Sequence, residues 1–154
     1  MKRTPEELCA RMKQGVLFRF LEEGDVAAFP EFLGCRNLSA GEILWKEGDP
    51  CDYLAFIVEG RLEMKKSTEF AGKEVVIGVY SAGTIAGEIC ILNGTPRAVT
   101  AVALENSSLL VLSKEDFERL LREHPESGVR LLKGMLLAIS TRLRKSFERL
   151  AAVF

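Results

Sequence analysis

The chain has 154 residues, 47% of them apolar, with 21 Lys and Arg against 22 Asp and Glu. That is enough apolar material for one domain with a real core, and the near-balanced charge lacks the basic signature of a nucleic-acid binder. No apolar run approaches a bilayer span, the N-terminus is charged rather than secretory, and four scattered cysteines with one histidine offer no zinc spacing.

Thr4-Pro5-Glu6-Glu7 opens a helix: a hydroxyl N-cap, Pro in the first position and acids in the first turn. Helical spacing runs through Leu8 and Met12 and stops near Gly15. Val16 to Leu33 reads as mainly helical, broken by Gly24 and Pro30. From Gly34 the period shortens. Apolar segments Glu42–Trp45, Tyr53–Val58, Arg61–Lys65, Glu74–Tyr80, Ala98–Ala103 and Ser108–Leu112 alternate with turns rich in Gly, Asn and Asp. Many short strands at this spacing indicate an antiparallel barrel or sandwich.

Helix returns after Ser113, an N-cap followed by an acid at the capping-box position. His124-Pro125 ends that helix and starts a long one. Val129, Leu132, Leu136, Ile139, Leu143, Leu150 and Phe154, with Phe147 in the gap, follow alternating three- and four-residue steps, a heptad-like seam. Leu131, Met135, Leu137 and Ala138 lie off it. One side can cover the barrel and the other needs a partner. The basic residues Arg142, Arg144, Lys145 and Arg149 read as the solvated side. The resulting division is a helical segment over 1–33, a β core over 34–113 and C-terminal helices over 114–154.

The segment with most chemistry is 83–100. Gly87-Glu88 opens a short apolar helix, Asn93-Gly94 closes it, and Pro96 places Arg97 before a strand. Unpaired N–H groups at a helix start favour an anion. Gly87 permits close backbone approach, and the Arg97 fork matches phosphate oxygens. Glu88 is a natural acceptor for a sugar hydroxyl. The pattern asks for a phosphate and a ribose together.

Gly87-Glu88-Ile89-Cys90-Ile91-Leu92 followed by Pro96-Arg97-Ala98 resembles the phosphate-binding cassette of the cyclic nucleotide-binding domain family, the module of catabolite activator protein and protein kinase A regulatory subunits. Upstream, Ala40-Gly41-Glu42-Ile43-Leu44, Glu47-Gly48-Asp49-Pro50 and Phe56-Ile57-Val58-Glu59-Gly60 fit the family's second pattern in order and separation, so the resemblance covers roughly residues 17–150. It implies a double-stranded β-helix, or jelly roll, with N-terminal helices, a short phosphate-binding helix and a long C-terminal helix. It also implies that Arg97 and the backbone of Gly87, Ile89 and Cys90 hold a cyclic phosphate, and that Glu88 accepts the ribose 2′-hydroxyl. Met64, Val75, Ile77 and Gly78 are implied as the wall for the base. Arg144, Lys145 or Ser146 would cap the base from the final helix. Ala98 stands where relatives preferring cyclic GMP often carry Thr, which tilts the ligand toward cyclic AMP. Ala86, before Gly87, is smaller than the family's usual apolar residue.

Cys90 reads as a small packed hydrophobe, and the cysteines as reduced thiols of a cytoplasmic protein, with a disulfide between distant cysteines left open. No nucleophile–base pair, NTPase phosphate loop or metal motif appears, so the expectation is a non-enzyme with no metal. The expected function is a cyclic nucleotide sensor that moves its last helix and pairs as a homodimer through it, with no direct DNA or membrane contact. The chain ends at Phe154, leaving no room for the helix-turn-helix of related transcription factors, so the output is a dimer rearrangement, a protein partner or a domain beyond this chain. The alternative is a ligand-independent dimerisation scaffold on the same fold.

Overall fold

The computed structural model describes residues 3–12 and 15–154. Thr4 caps the first helix, α1 (Pro5–Arg11), in a reciprocal box with Glu7: each backbone N–H donates to the other's side chain, at 3.2 and 3.0 Å. The stretch 16–33 is less helical than its spacing suggests. It holds one short α-helix, α2 (Glu23–Ala28), between two 3-10 turns, Val16–Phe18 and Phe29–Phe32. Pro30 sits inside the second turn, where its missing N–H breaks no longer ladder.

Eight strands follow among the described residues: β1 (Gly34–Leu38), β2 (Ile43–Trp45), β3 (Tyr53–Glu59), β4 (Arg61–Ser67), β5 (Glu74–Ser81), β6 (Ile85–Ala86), β7 (Thr100–Ala103) and β8 (Ser107–Ser113). They form two four-stranded antiparallel sheets, ordered β1-β8-β3-β6 and β2-β7-β4-β5. The expected mainly β architecture with flanking helices is therefore present. A four-residue helix, α3 (Glu88–Ile91), lies between β6 and β7, and α4 (Lys114–Glu123) and α5 (Pro125–Val153) close the chain. No helix among the described residues is long and apolar enough to cross a membrane.

Strand β3 is apolar almost without interruption because both of its faces are covered. Ala55 and Ile57 point between the sheets, where they meet Leu62, Met64, Ala101 and Leu109. Leu54 and Phe56 point the other way, into a core shared with Leu8, Leu17, Phe29, Phe117, Leu131 and Met135. The helices thus form a third layer on the β1-β8-β3-β6 sheet. On α5, Leu131, Met135 and Ala138 face that layer, while Val129, Leu132, Leu136, Leu143, Phe147 and Leu150 of the seam are exposed.

The start of α5 is tied to α2 by a buried polar cluster. The Asp25 carboxylate accepts from Arg130 Nε and Nη2 at 2.7 and 2.8 Å and from Ser127 Oγ at 2.5 Å, and it accepts the Glu22 N–H at 2.8 Å. Arg130 is the first cause of an Asp25 pKa lowered to about 2, and burial opposes it. A carboxylate whose folded pKa lies below its unfolded value of about 3.9 stabilises the fold above that pH. The contribution is then lost as the pH falls through the folded value. Asp25→Ala is expected to cost about 2–3 kcal/mol, because it strands Ser127 and Arg130 at once. Urea melts at pH 7 and pH 2.5 check this: the gap between wild type and variant should shrink markedly at the lower pH, and a pH-independent gap would refute the charge argument.

Candidate functional site

Strand β6 delivers the chain to Gly87, which adopts φ +85° and starts α3. Two constraints select glycine there. The left-handed conformation disfavours a side chain, and a Cβ would lie 2.5 Å from Arg97 Nη1 and 2.9 Å from the Trp45 ring. The Trp45 indole fills the space beneath the small Ala86–Gly87 corner.

Arg97 is placed by its backbone before its side chain. Its N–H donates to Asp49 O and its carbonyl accepts from Gly48 N–H, both at 2.8 Å, strapping it to the β2–β3 turn. Asn93 Oδ1 folds the preceding loop by accepting from Thr95 N–H and Oγ1 at 3.2 and 2.8 Å. The guanidinium then enters a slot between Trp45 and Tyr53, 3.7 and 4.7 Å from the ring centroids. Nη2 donates to Tyr53 O at 2.7 Å, and Nη1 lies 3.5 Å from Cys90 Sγ. Arg97 is 3% exposed, and its Nε has no partner. Burial pulls its pKa below the ordinary value, with Tyr53, Asp52 and Asp49 opposing. A buried cation with an unused donor, beside a glycine corner that tolerates no side chain, fits an anion seated against α3.

Cys90 corrects the expectation of reduced thiols. It is joined by a disulfide to Cys51, 39 residues away, with the Cα atoms 6.0 Å apart. No spacing rule links two cysteines held on separate turns, and only the folded β2–β3 loop brings them together. Cys9 and Cys35 are free, and burial pushes the Cys9 thiol up to about 12, which keeps it protonated.

Glu88 is engaged by α5. Arg142 Nη1 donates to Glu88 Oε1 at 2.8 Å, and Nη2 donates to Thr84 Oγ1 at 3.0 Å and Ile85 O at 2.5 Å. The Arg142 guanidinium also lies 3.8 Å from the Tyr80 ring centroid. Burial raises the Tyr80 pKa, and Arg142 opposes that shift. Arg142 therefore belongs to the site rather than to a solvated helix face. Beside it, a cleft of about 1030 Å³ opens between β5 and α5, lined in part by Ile77, Gly78, Tyr80, Thr84, Thr141 and Lys145.

The residues singled out from sequence thus separate. Gly87, Cys90 and Arg97 touch one another, and Glu88 is linked through Arg142 to the cleft that Ile77 and Gly78 line. Ala98 is half-buried and its carbonyl accepts from Lys66 Nζ at 3.1 Å. Ile89 is 63% exposed on the outer side of α3, and Val75 is an exposed residue of β5 outside the cleft lining. Met64 is no wall residue: alternation along β4 turns it, like Leu62, into the core between the sheets. Of the three proposed caps, Lys145 and Ser146 line the cleft and Arg144 does not. Trp45, Tyr53, Tyr80 and Arg142 carried no motif in the sequence. The only hint was a lone Trp and a Tyr flanking the Gly48-Asp49-Pro50 turn.

The pattern described as "Cyclic nucleotide-binding domain" matches residues 35–124. The cAMP-dependent protein kinase regulatory subunit of Mycosarcoma maydis is 36% identical over 110 residues, which cover 68% of this chain and 21% of the relative. That of Blastocladiella emersonii is 29% identical over 127 residues, 82% of this chain and 31% of the relative. The chain therefore spans under a third of either relative's length. Among solved structures, a cyclic nucleotide-binding domain from Methylobacillus flagellatus superposes with a TM-score of 0.88 at 24% identity, covering 98% of this chain and 86% of that one. The regulatory domain of Toxoplasma gondii PKA, solved with cAMP, gives 0.62 at 27% identity, covering 75% and 43%.

Proposed function

The chain belongs to the cyclic nucleotide-binding domain family, and from that premise we propose that it is a cyclic AMP sensor whose occupancy releases α5. The observation that carries this reading is the Arg142–Glu88 pair. Glu88 is the residue that the family pattern assigns to the ribose hydroxyl, and its carboxylate is already bonded to a side chain of the C-terminal helix. Ribose and Arg142 compete for one acceptor. A nucleotide therefore favours the state in which Arg142 has let go, which is the differential affinity that any ligand-driven shift requires.

Arg142 holds four groups at once: Glu88, Thr84, the Ile85 carbonyl and the Tyr80 face. Its departure frees the strand-side surface of the cleft for the base and detaches the middle of α5. The exposed apolar seam of the same helix is the surface on which a second copy would read that movement. Cyclic AMP is favoured over cyclic GMP because Ala98 presents no hydroxyl to a guanine amino group, and the Toxoplasma gondii relative was solved with cAMP.

Titration calorimetry of the wild type and Arg142→Ala with cyclic AMP and cyclic GMP tests this. Cyclic AMP is expected to bind more tightly than cyclic GMP. Arg142→Ala should bind cyclic AMP about 5–30-fold more tightly, a coupling of about 1–2 kcal/mol between helix and ligand. No heat and no thermal shift with either nucleotide would instead favour the ligand-independent scaffold.

A further inference from the structure

We infer that Cys51 and Cys90 form a thiol–disulfide switch that sets the width of the Arg97 slot and hence nucleotide affinity, an inference that rests on the sensor reading above. Both ends of the bond abut groups that hold the guanidinium. Cys51 lies two residues before Tyr53, whose carbonyl accepts from Arg97 Nη2 and whose ring covers one face. Cys90 lies within α3, its Sγ 3.5 Å from Nη1. The bond therefore ties the start of β3 to the cassette, directly across the arginine.

With the link intact, Gly87 closes against Nη1 so tightly that even a Cβ has no room. A phosphate oxygen seated between Nη1 and the cassette needs those walls to part by about the 2.8 Å of one charge-assisted hydrogen bond. The dithiol form permits that movement, because α3 is only four residues long and, once the link is cut, its hold on the molecule is reduced to buried Ile91 and the Glu88–Arg142 pair that the nucleotide itself displaces. The oxidised protein is the low-affinity state and the reduced protein the high-affinity state.

The chemistry is ordinary exchange with a thiol or disulfide of the surroundings. Cys51 is half-buried and Cys90 is 2% exposed, so the attack falls on Cys51 Sγ. A dithiol's thiolate attacks there, the protein S–S bond breaks, and Cys90 leaves as a thiolate and takes a proton. The second thiolate of the reductant then closes on the mixed disulfide, and Cys51 leaves and is protonated. Two electrons pass to the protein, and the reductant becomes a disulfide.

Wild type and Cys51→Ser are titrated with cyclic AMP before and after dithiothreitol. Thiols are counted under denaturing conditions, with Cys9 and Cys35 alone reacting in the oxidised wild type. Reduction is expected to tighten cyclic AMP binding by about tenfold, and Cys51→Ser should match the reduced wild type with or without dithiothreitol. By linkage, saturating cyclic AMP should raise the midpoint potential of the pair by about 30 mV for that tenfold preference. Equal, measurable affinity in both redox states overturns the switch and leaves the sensor reading intact, as does a dithiothreitol response that persists in Cys51→Ser. Absence of binding in either state overturns both.

Discussion

Arg97→Ala is expected to lower cyclic AMP affinity by about 2–5 kcal/mol, read by titration calorimetry, while the melting temperature moves little. The two readouts diverge for a reason visible in the slot. For the ligand, Arg97 is a buried cation beside Gly87, and its Nε has no partner among the described residues. A phosphate would draw on the guanidinium's donors and lose them in the variant. For the fold, the deletion removes stacking on Trp45 and Tyr53, worth about 1–2 kcal/mol when desolvated. It also removes a buried charge with an unsatisfied donor, which offsets much of that loss. The two rings can close on the space. Arg97→Lys keeps the charge but not the planar fork that bonds Tyr53 O through Nη2 while its other nitrogens stay directed at a phosphate. It should fall between Ala and wild type. Affinity unchanged in the Ala variant would mean that the guanidinium is only a core cation and that the anion, if bound, is held elsewhere.

What the sequence disclosed depended on how local each determinant is. The Thr4 and Ser113 caps, the long final helix and most strands are visible because their signals lie within a few residues of their effects. Strand β1 carried no signal: of Gly34-Cys35-Arg36-Asn37-Leu38 only Leu38 is buried, and the segment is a strand because β8 pairs with it. Strand β6 is two residues held by Ala55 and Phe56 of β3. The cassette was legible at Gly87, Glu88 and Arg97, where one backbone conformation and two charges leave little choice. The surroundings of those residues were not legible. Trp45 and Tyr53 reach Arg97 across more than 40 residues of chain, Cys51 reaches Cys90 across 39, and Arg142 reaches Glu88 across 54. Arg142 sits among other basic residues on a helix whose seam is apolar, and the pattern does not separate the one that turns inward. Met64 and Ile77 are equally apolar in adjacent strands. Only the register and its bulge decide which faces the core and which the cleft.

Gly134→Ala is expected to cost about 3 kcal/mol or more of stability and to raise cyclic AMP affinity at the same time. On helix propensity alone, Ala should stabilise an interior position by about 1 kcal/mol. Packing reverses the sign. A Cβ at Gly134 would lie 1.7 Å from the Leu17 carbonyl oxygen and 2.8 Å from its carbonyl carbon. That obstacle is backbone, held in the Val16–Phe18 turn with Leu17 fully buried, so no side-chain rotation relieves it. The helix must lift, and Leu131, Met135 and Ala138 lose contact with the layer beneath. For a chain of this size the loss corresponds to a fall of about 6–12 °C in melting temperature. Gly24→Ala is the control, since its Cβ would meet nothing within 4 Å. It should leave the melting temperature unchanged or slightly raised. Arg142 lies eight residues beyond Gly134, about 12 Å along the axis, so lifting the helix pulls its guanidinium from Glu88. A variant that melts earlier yet binds the nucleotide more tightly is hard to explain by general damage, which lowers both. If Gly134→Ala loses stability and affinity together, the docked helix supports the binding-competent state, and the competition assigned to Arg142 is wrong.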